Sequence, residues 1–223
     1  MLICTIYILT FVCITKHILM PFKKLIEPLV DSLNRLGFEE PLGFQKKCLP
    51  KIKSGANVFG IAPEGAGKTT TLVLSVIQKL KGKAFEDAPR SLIIVKDKKE
   101  ALALKQAFGA FTYQTDLRVY CAYEEQSVDD QKDEIYVGVD VIIATPKRLN
   151  KLFLLNAINV SQLKLFIVED AEFTFFGNIY QEVNRITESI NRCQYVIFAK
   201  SFEKKIQRFQ DSFMSNAQLV KVK

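Results

Sequence analysis

Seven short apolar runs recur along the sequence: "NVFGIA", "SLIIVK", "LRVYCAY", "DVIIAT", "LKLFIVE", "QYVIFA" and "QLVKVK". Most are near-continuous in hydrophobicity and rich in β-branched and aromatic residues, as strands buried on both faces are. Segments of helical period separate them, among them "KTTTLVLSVIQKL", "KKEALALKQAFGAF", "PKRLNKLFLL" and "YQEVNRITESINR". Such alternation predicts an α/β layered fold, with a mainly parallel central sheet flanked by helices on both faces. Two helices are expected before the first strand, one from Phe22 to Leu36 ending at Gly37, and one over Gly43–Lys53 stopping at Ser54-Gly55. No repeat, low-complexity tract or linker divides the 223 residues, so one domain is expected.

The stretch "APEGAGKTT", Ala62 to Thr70, follows the first of these strands and opens a helix. That context is what a phosphate-binding loop needs. Gly65 and Gly67 let several backbone N–H groups face one anion, with Ala66 between them, and the helix after them directs its positive end there. Lys68 is placed to reach the β- and γ-phosphates, and the Thr69 hydroxyl to ligate Mg²⁺, with Thr70 completing the turn.

A loop of this kind calls for a strand that ends in an acid able to hold the magnesium. "LFIVED" meets the requirement, because Glu169 emerges at the C-terminal edge of an apolar run, where open α/β sheets bind ligands. Glu172 could equally be an acid placed to suit a helix dipole, a weaker account of the adjacent Glu169 and Asp170.

Other chemistry is excluded. The only histidine is His17, ahead of the globular part, which removes Ser-His-Asp triads, Cys-His dyads and histidine metal sites. Five cysteines stand singly, without a C-x-x-C pair, consistent with free thiols in a reducing cytoplasm. A formal charge of +7 favours polyanionic partners, weakly. The start, "MLICTIYILTFVCIT", is apolar but short of the roughly 20 residues of a membrane span, and it lacks a basic n-region and a cleavage site. A weak anchor, a signal peptide and a non-native extension all remain readings of residues 1–19. We prefer the last, with the domain beginning at Met20 and no membrane partner expected.

From Phe22 onward the sequence resembles the first RecA-like domain of the DEAD-box RNA helicases. "GFEEPLGFQ" resembles the adenine-reading Q motif, "APEGAGKTT" motif I (where Ala62 is the expected residue), "VIIATPKRL" the RNA-contacting ATPGRL segment, "FIVEDAE" the motif IVDEAD, and "VIFAKSF" the FSAT motif. The resemblance implies a RecA-like P-loop NTPase domain over residues 20–223 that binds ATP with Mg²⁺ and associates with RNA. It implies that Gln45 reads adenine and Phe22 stacks on it, that Thr69 and Glu169 support the metal, and that Lys68, Glu169 and Asp170 form the catalytic set. Thr145, Lys147 and Arg148 become the RNA-phosphate candidates.

The departures from the family pattern are specific. D-E-A-D has become Glu169-Asp170-Ala171-Glu172, so the acid in the base position is one methylene short. Phe198 and Lys200 replace the two hydroxyls of motif III, and a Glu172–Lys200 ion pair is expected to couple the nucleotide site to RNA in their place. "VKDKKEALAL" lacks the family's Pro, Thr and Arg but keeps charge at Lys96, Lys98 and Lys99, and "CAYEEQSVDDQ" is acidic where the family has paired glycines. The family's second RecA-like domain supplies arginine fingers and half of the RNA cleft, and the sequence ends where it would begin. Weak hydrolysis is therefore expected, without complete helicase activity alone, and a second domain or protein partner would act in trans. The alternative is a non-catalytic module working through protein or RNA contacts.

Overall fold

The computed structural model describes Phe22 and residues 24–223. The apolar segment 1–19 and the proposed start at Met20 lie outside the described residues. Helices and strands alternate: α1 (Glu27–Arg35), α2 (Gly43–Lys53), β1 (Val58–Ile61), α3 (Lys68–Leu80), β2 (Ser91–Ile94), α4 (Lys98–Phe111), β3 (Val119–Ala122), α5 (Val128–Val137), β4 (Val141–Ala144), α6 (Pro146–Leu154), β5 (Leu165–Val168), a 3₁₀ turn (Ala171–Phe175), α7 (Ile179–Glu188), β6 (Gln194–Ala199), α8 (Lys204–Ser212) and β7 (Gln218–Lys221).

The strands form one seven-stranded sheet in the order β3-β4-β2-β5-β6-β1-β7, every pairing parallel. The two-residue period of a strand sorts each apolar run between two cores. Val58, Ile93, Leu165, Ile167, Val196 and Phe198 face the side covered by α1–α4. Phe59, Ile61, Leu92, Ile94, Phe166, Val168 and Ile197 face the side covered by α5–α8. The sheet is thus closed on both faces, which is why its central strands carry no polar alternation.

The first helix is shorter than the expected Phe22–Leu36. Proline has no N–H to donate and is tolerated in the first helical turn, and Pro28 sits there, so the helix begins at Glu27. The second helix has the expected limits.

Strand order decides where the site lies. β5, β6 and β1 are adjacent, so the segments leaving their C-terminal ends meet at one edge. At this edge Phe198 needs room: a Cβ on Gly60 of β1 would stand 2.5 Å from its ring and 2.8 Å from that of Phe44. The two rings meet edge to face with centroids 5.7 Å apart. Phe198 in motif III and Phe44 in the Q motif therefore fill one space together, over a glycine.

Candidate nucleotide site

Gly65 and Gly67 adopt φ of +77° and +85°, the left-handed backbone that glycine alone enters freely. Gly67 caps the N-terminus of α3. It also permits a close approach, since a Cβ there would lie 2.8 Å from Gln45 Nε2. Gln45 is 1% exposed, and its Oε1 accepts the Leu42 N–H at 2.8 Å. The amide expected to read adenine thus stands directly under the phosphate loop, with its oxygen already bonded within the fold.

Lys68 is buried, and its ammonium donates to the carbonyls of Ala62 (3.0 Å) and Pro63 (3.3 Å). The same ammonium lies 3.3 Å from Asp170 Oδ1. Thr69 Oγ1 donates to Glu169 Oε1 at 2.7 Å. Residues a hundred positions apart thus converge, because β1 and β5 flank β6. Ala66 is half-buried against the core, and Thr70 is half-buried on the first turn of α3.

The oxygens of Thr69 and Glu169 suit a magnesium ion, which takes one or two protein oxygens and fills its shell with phosphates and water. Among the described residues no cluster of three His, Cys, Asp or Glu could hold a metal by itself. An ion held there would supply charge neutralisation at nucleotide phosphates.

The two acids differ in setting. Burial pushes the Glu169 carboxyl up to about 7, and Asp170 and Glu100 push the same way, against the Thr69 hydrogen bond and Lys68. Asp170 has φ +45°, a left-handed backbone outside glycine, which costs on the order of 1 kcal/mol. That turn carries its carboxylate to Lys68 instead of along the strand.

A stability effect follows from Glu169. With a folded pKa above the unfolded one, the folded state binds the extra proton between pH 4.5 and about 7, so stability falls as pH rises through that window. In EDTA and without nucleotide, Glu169→Gln is expected to raise stability at pH 8 by on the order of 2 kcal/mol, and much less at pH 5. Thermal melts at the two pH values check it, and equal shifts at both would contradict it.

The expected Glu172–Lys200 ion pair is replaced by a different contact. Glu172 Oε1 accepts from the backbone N–H of Lys200 (2.5 Å) and of Ser201 (3.3 Å). β6 ends at Ala199, so these N–H groups have left the ladder and are free to donate. The Lys200 ammonium instead bonds Glu64 of the phosphate loop. The two positions are joined through backbone atoms and not by the ion pair, and the lysine ties the end of β6 to the loop. Glu64 was not among the sequence candidates. Both ends of its bond are exposed, so the pair contributes little stability.

The RNA-phosphate candidates are less open than their motif implies. Thr145 is 4% exposed and donates to Glu124 Oε2 at 2.7 Å. Arg148 is 5% exposed, and its Nη2 donates to the carbonyls of Glu124 and Gln126. Lys147 alone of the three is exposed.

Phe22 is not brought to the phosphate loop. Its ring is 1% exposed and lines a cavity of about 550 Å³ with Leu25, Leu49, Ile52, Ser75 and Gln78. Ser75 and Gln78 lie in the later turns of α3, away from its phosphate-facing start. The ring packs in the apolar core and borders that cavity.

A family model described as DEAD/DEAH box helicase matches residues 43–209. The chain is 29% identical over 191 residues to the pre-mRNA-processing ATP-dependent RNA helicase PRP5 of Candida albicans, covering 82% of this chain and 22% of that protein. It is 25% identical over 211 residues to the DEAD-box ATP-dependent RNA helicase 52A of Oryza sativa subsp. japonica, covering 86% of this chain and 35% of that one. Among solved structures, the crystal structure of a DEAD box protein from the hyperthermophile Methanococcus jannaschii superposes with a TM-score of 0.83 at 18% identity, over 90% of this chain and 55% of that chain. The chain spans well under half the length of either helicase relative.

Proposed function

This chain belongs to the DEAD/DEAH box helicase family, and from that premise we propose that it is an ATP-binding, RNA-associated domain that hydrolyses slowly. One observation carries the reading: the phosphate loop, the acids after β5 and the Q-motif glutamine meet at one sheet edge, with Thr69 on Glu169 and Lys68 on Asp170. Lys68 is held at the N-terminus of α3, where it and the backbone N–H groups would receive phosphate oxygens. Thr69 and Glu169 would hold Mg²⁺, and Asp170 is left as the base. Duplex unwinding by this domain alone is not part of the reading. Its cysteines at Cys48, Cys121 and Cys193 are free, in keeping with a reducing compartment.

ATP binding in the micromolar range or weaker is expected, and it should depend on Lys68. Lys68→Ala is expected to weaken a fluorescent ATP analogue by roughly a hundredfold, about 2.7 kcal/mol. Equal affinity of the two proteins, both folded by thermal melt, would refute the site. Turnover with and without RNA separates the catalytic reading from its alternative, a module that binds without cutting. Robust RNA-stimulated hydrolysis would refute both the slow-turnover claim and that alternative.

A further inference from the structure

β3, β4 and β2 are neighbours, so the segments leaving their C-terminal ends also gather at one edge. These are Tyr123–Glu125, Thr145–Arg148 and Lys96–Lys99. Cations dominate in number. Lys96, Lys99 and Lys147 are exposed, and the Lys98 ammonium lies over the Tyr123 ring, 5.1 Å from its centroid. Against them stand Asp97, which caps α4 through the Glu100 N–H, Glu125, and Glu124, whose Oε2 takes the Thr145 hydroxyl at 2.7 Å. Its backbone carbonyl takes Arg148 Nη2 at 2.6 Å, and that of Gln126 takes the same atom at 2.9 Å. Arg148 Nε and Nη1 are buried there without a partner.

We infer that Glu124 decides whether this edge accepts an RNA phosphate, because its carboxylate holds the hydroxyl of Thr145, the N-cap residue of α6, which a phosphate oxygen would otherwise take. The inference rests on the RNA association proposed above and names the residue that limits it. A hydroxyl has one proton to give, and Glu124 receives it. The carboxylate also sets a negative charge at the positive end of α6, where a phosphate is otherwise favoured. An incoming phosphate meets a like charge and must break an existing bond before it gains one. Glu125, the other acid of the segment, lines a separate groove with Ser127 and Asp130 and makes no bond to Thr145. Removing the Glu124 side chain should therefore leave an unpaired hydroxyl beside four lysines.

The test is binding of a fluorescein-labelled single-stranded oligouridylate to wild type, Glu124→Gln and Glu124→Ala, over a series of salt concentrations. Glu124→Gln removes the charge and Glu124→Ala also frees the hydroxyl, so affinity should rise in that order. For Glu124→Ala we expect roughly tenfold tighter binding and a log–log salt slope steeper by about one phosphate contact. In the Glu124→Ala background, Thr145→Val and Lys147→Ala should each remove part of the gain. Equal affinity and slope for wild type and both Glu124 variants would overturn the role of Glu124 while leaving RNA association standing. No RNA binding by any variant, with nucleotide binding and melting temperature intact, would overturn the RNA reading and this inference with it.

Discussion

Asp140→Ala is expected to destabilise the domain by about 3–5 kcal/mol, the largest stability loss predicted for any single change here. Asp140 is fully buried at the start of β4. Its carboxylate accepts from Arg90 Nη2 (2.5 Å), from Arg118 Nε (3.0 Å), and from the backbone N–H groups of Phe85 and Arg118, both at 3.0 Å. Its backbone carbonyl accepts the N–H groups of Arg90 and Ser91 as well. One side chain thereby joins the loop before β2 to the start of β3, and its removal strands the buried Arg90 without a counter-charge. Burial alone would raise the carboxyl, but the bonds from Arg118 and Arg90 overcome it and hold the group below the usual aspartate range. A depressed carboxylate contributes stability that is present above its unfolded pKa and lost as pH falls through the folded one. The gap between wild type and Asp140→Ala should therefore be full at pH 7 and narrow in acid below the ordinary aspartate range. Urea unfolding at the two pH values measures it. A loss under about 1 kcal/mol at pH 7 would show that solvent replaces these bonds.

Asp140 was not legible in the sequence, and the reason is general to such contacts. Local pattern tells which residues are buried, and the apolar runs were readable as strands because both faces of the sheet are covered. It does not tell which strand neighbours which, and the order that places β6 between β1 and β5 is set by packing across the whole sheet. Contacts that depend on this order were accordingly missed. The bond from Lys200 to Glu64 joins residues 136 positions apart. Thr145 and Glu124 meet only because β3 and β4 run side by side. Where a motif fixes its own geometry, more was readable: the glycines at 65 and 67 have the left-handed backbone their loop demands. Glu172 and Lys200 are an intermediate case, in which the positions were found and the atoms were not. A lysine in sequence suggests its ammonium, but a strand end offers its N–H groups first. An aromatic upstream of a Q motif suits a base or a core equally well, and the Phe22 ring packs in the core cluster beside a cavity.

The largest functional gain should come from exchanging the lengths of the two acids, Glu169→Asp together with Asp170→Glu. ATP turnover by the doubly substituted chain is expected to rise by about a hundredfold over wild type. In the present chain the longer carboxylate reaches Thr69 directly, at 2.7 Å, across the position a metal would share with it. The shorter one is turned by a left-handed backbone toward Lys68, 3.3 Å away, which occupies it with the cation that phosphates require. Shortening residue 169 should open the Thr69 contact to a metal, and lengthening residue 170 should carry its oxygens past Lys68 to the attacking water. A misplacement of about 1 Å is enough to account for a gain of this size. Nucleotide affinity should move much less, because the loop, Lys68 and Gln45 are untouched. The control is Glu169→Asp with Asp170→Gln, which keeps the metal position and the side-chain length but removes the base, and should bring turnover down to the wild-type level or below it. If the exchanged chain binds nucleotide normally and turns over no faster than wild type, the acids are not what limits hydrolysis. Lys200→Ala in the exchanged background would then test whether the Lys200 tie to Glu64 contributes to the restraint.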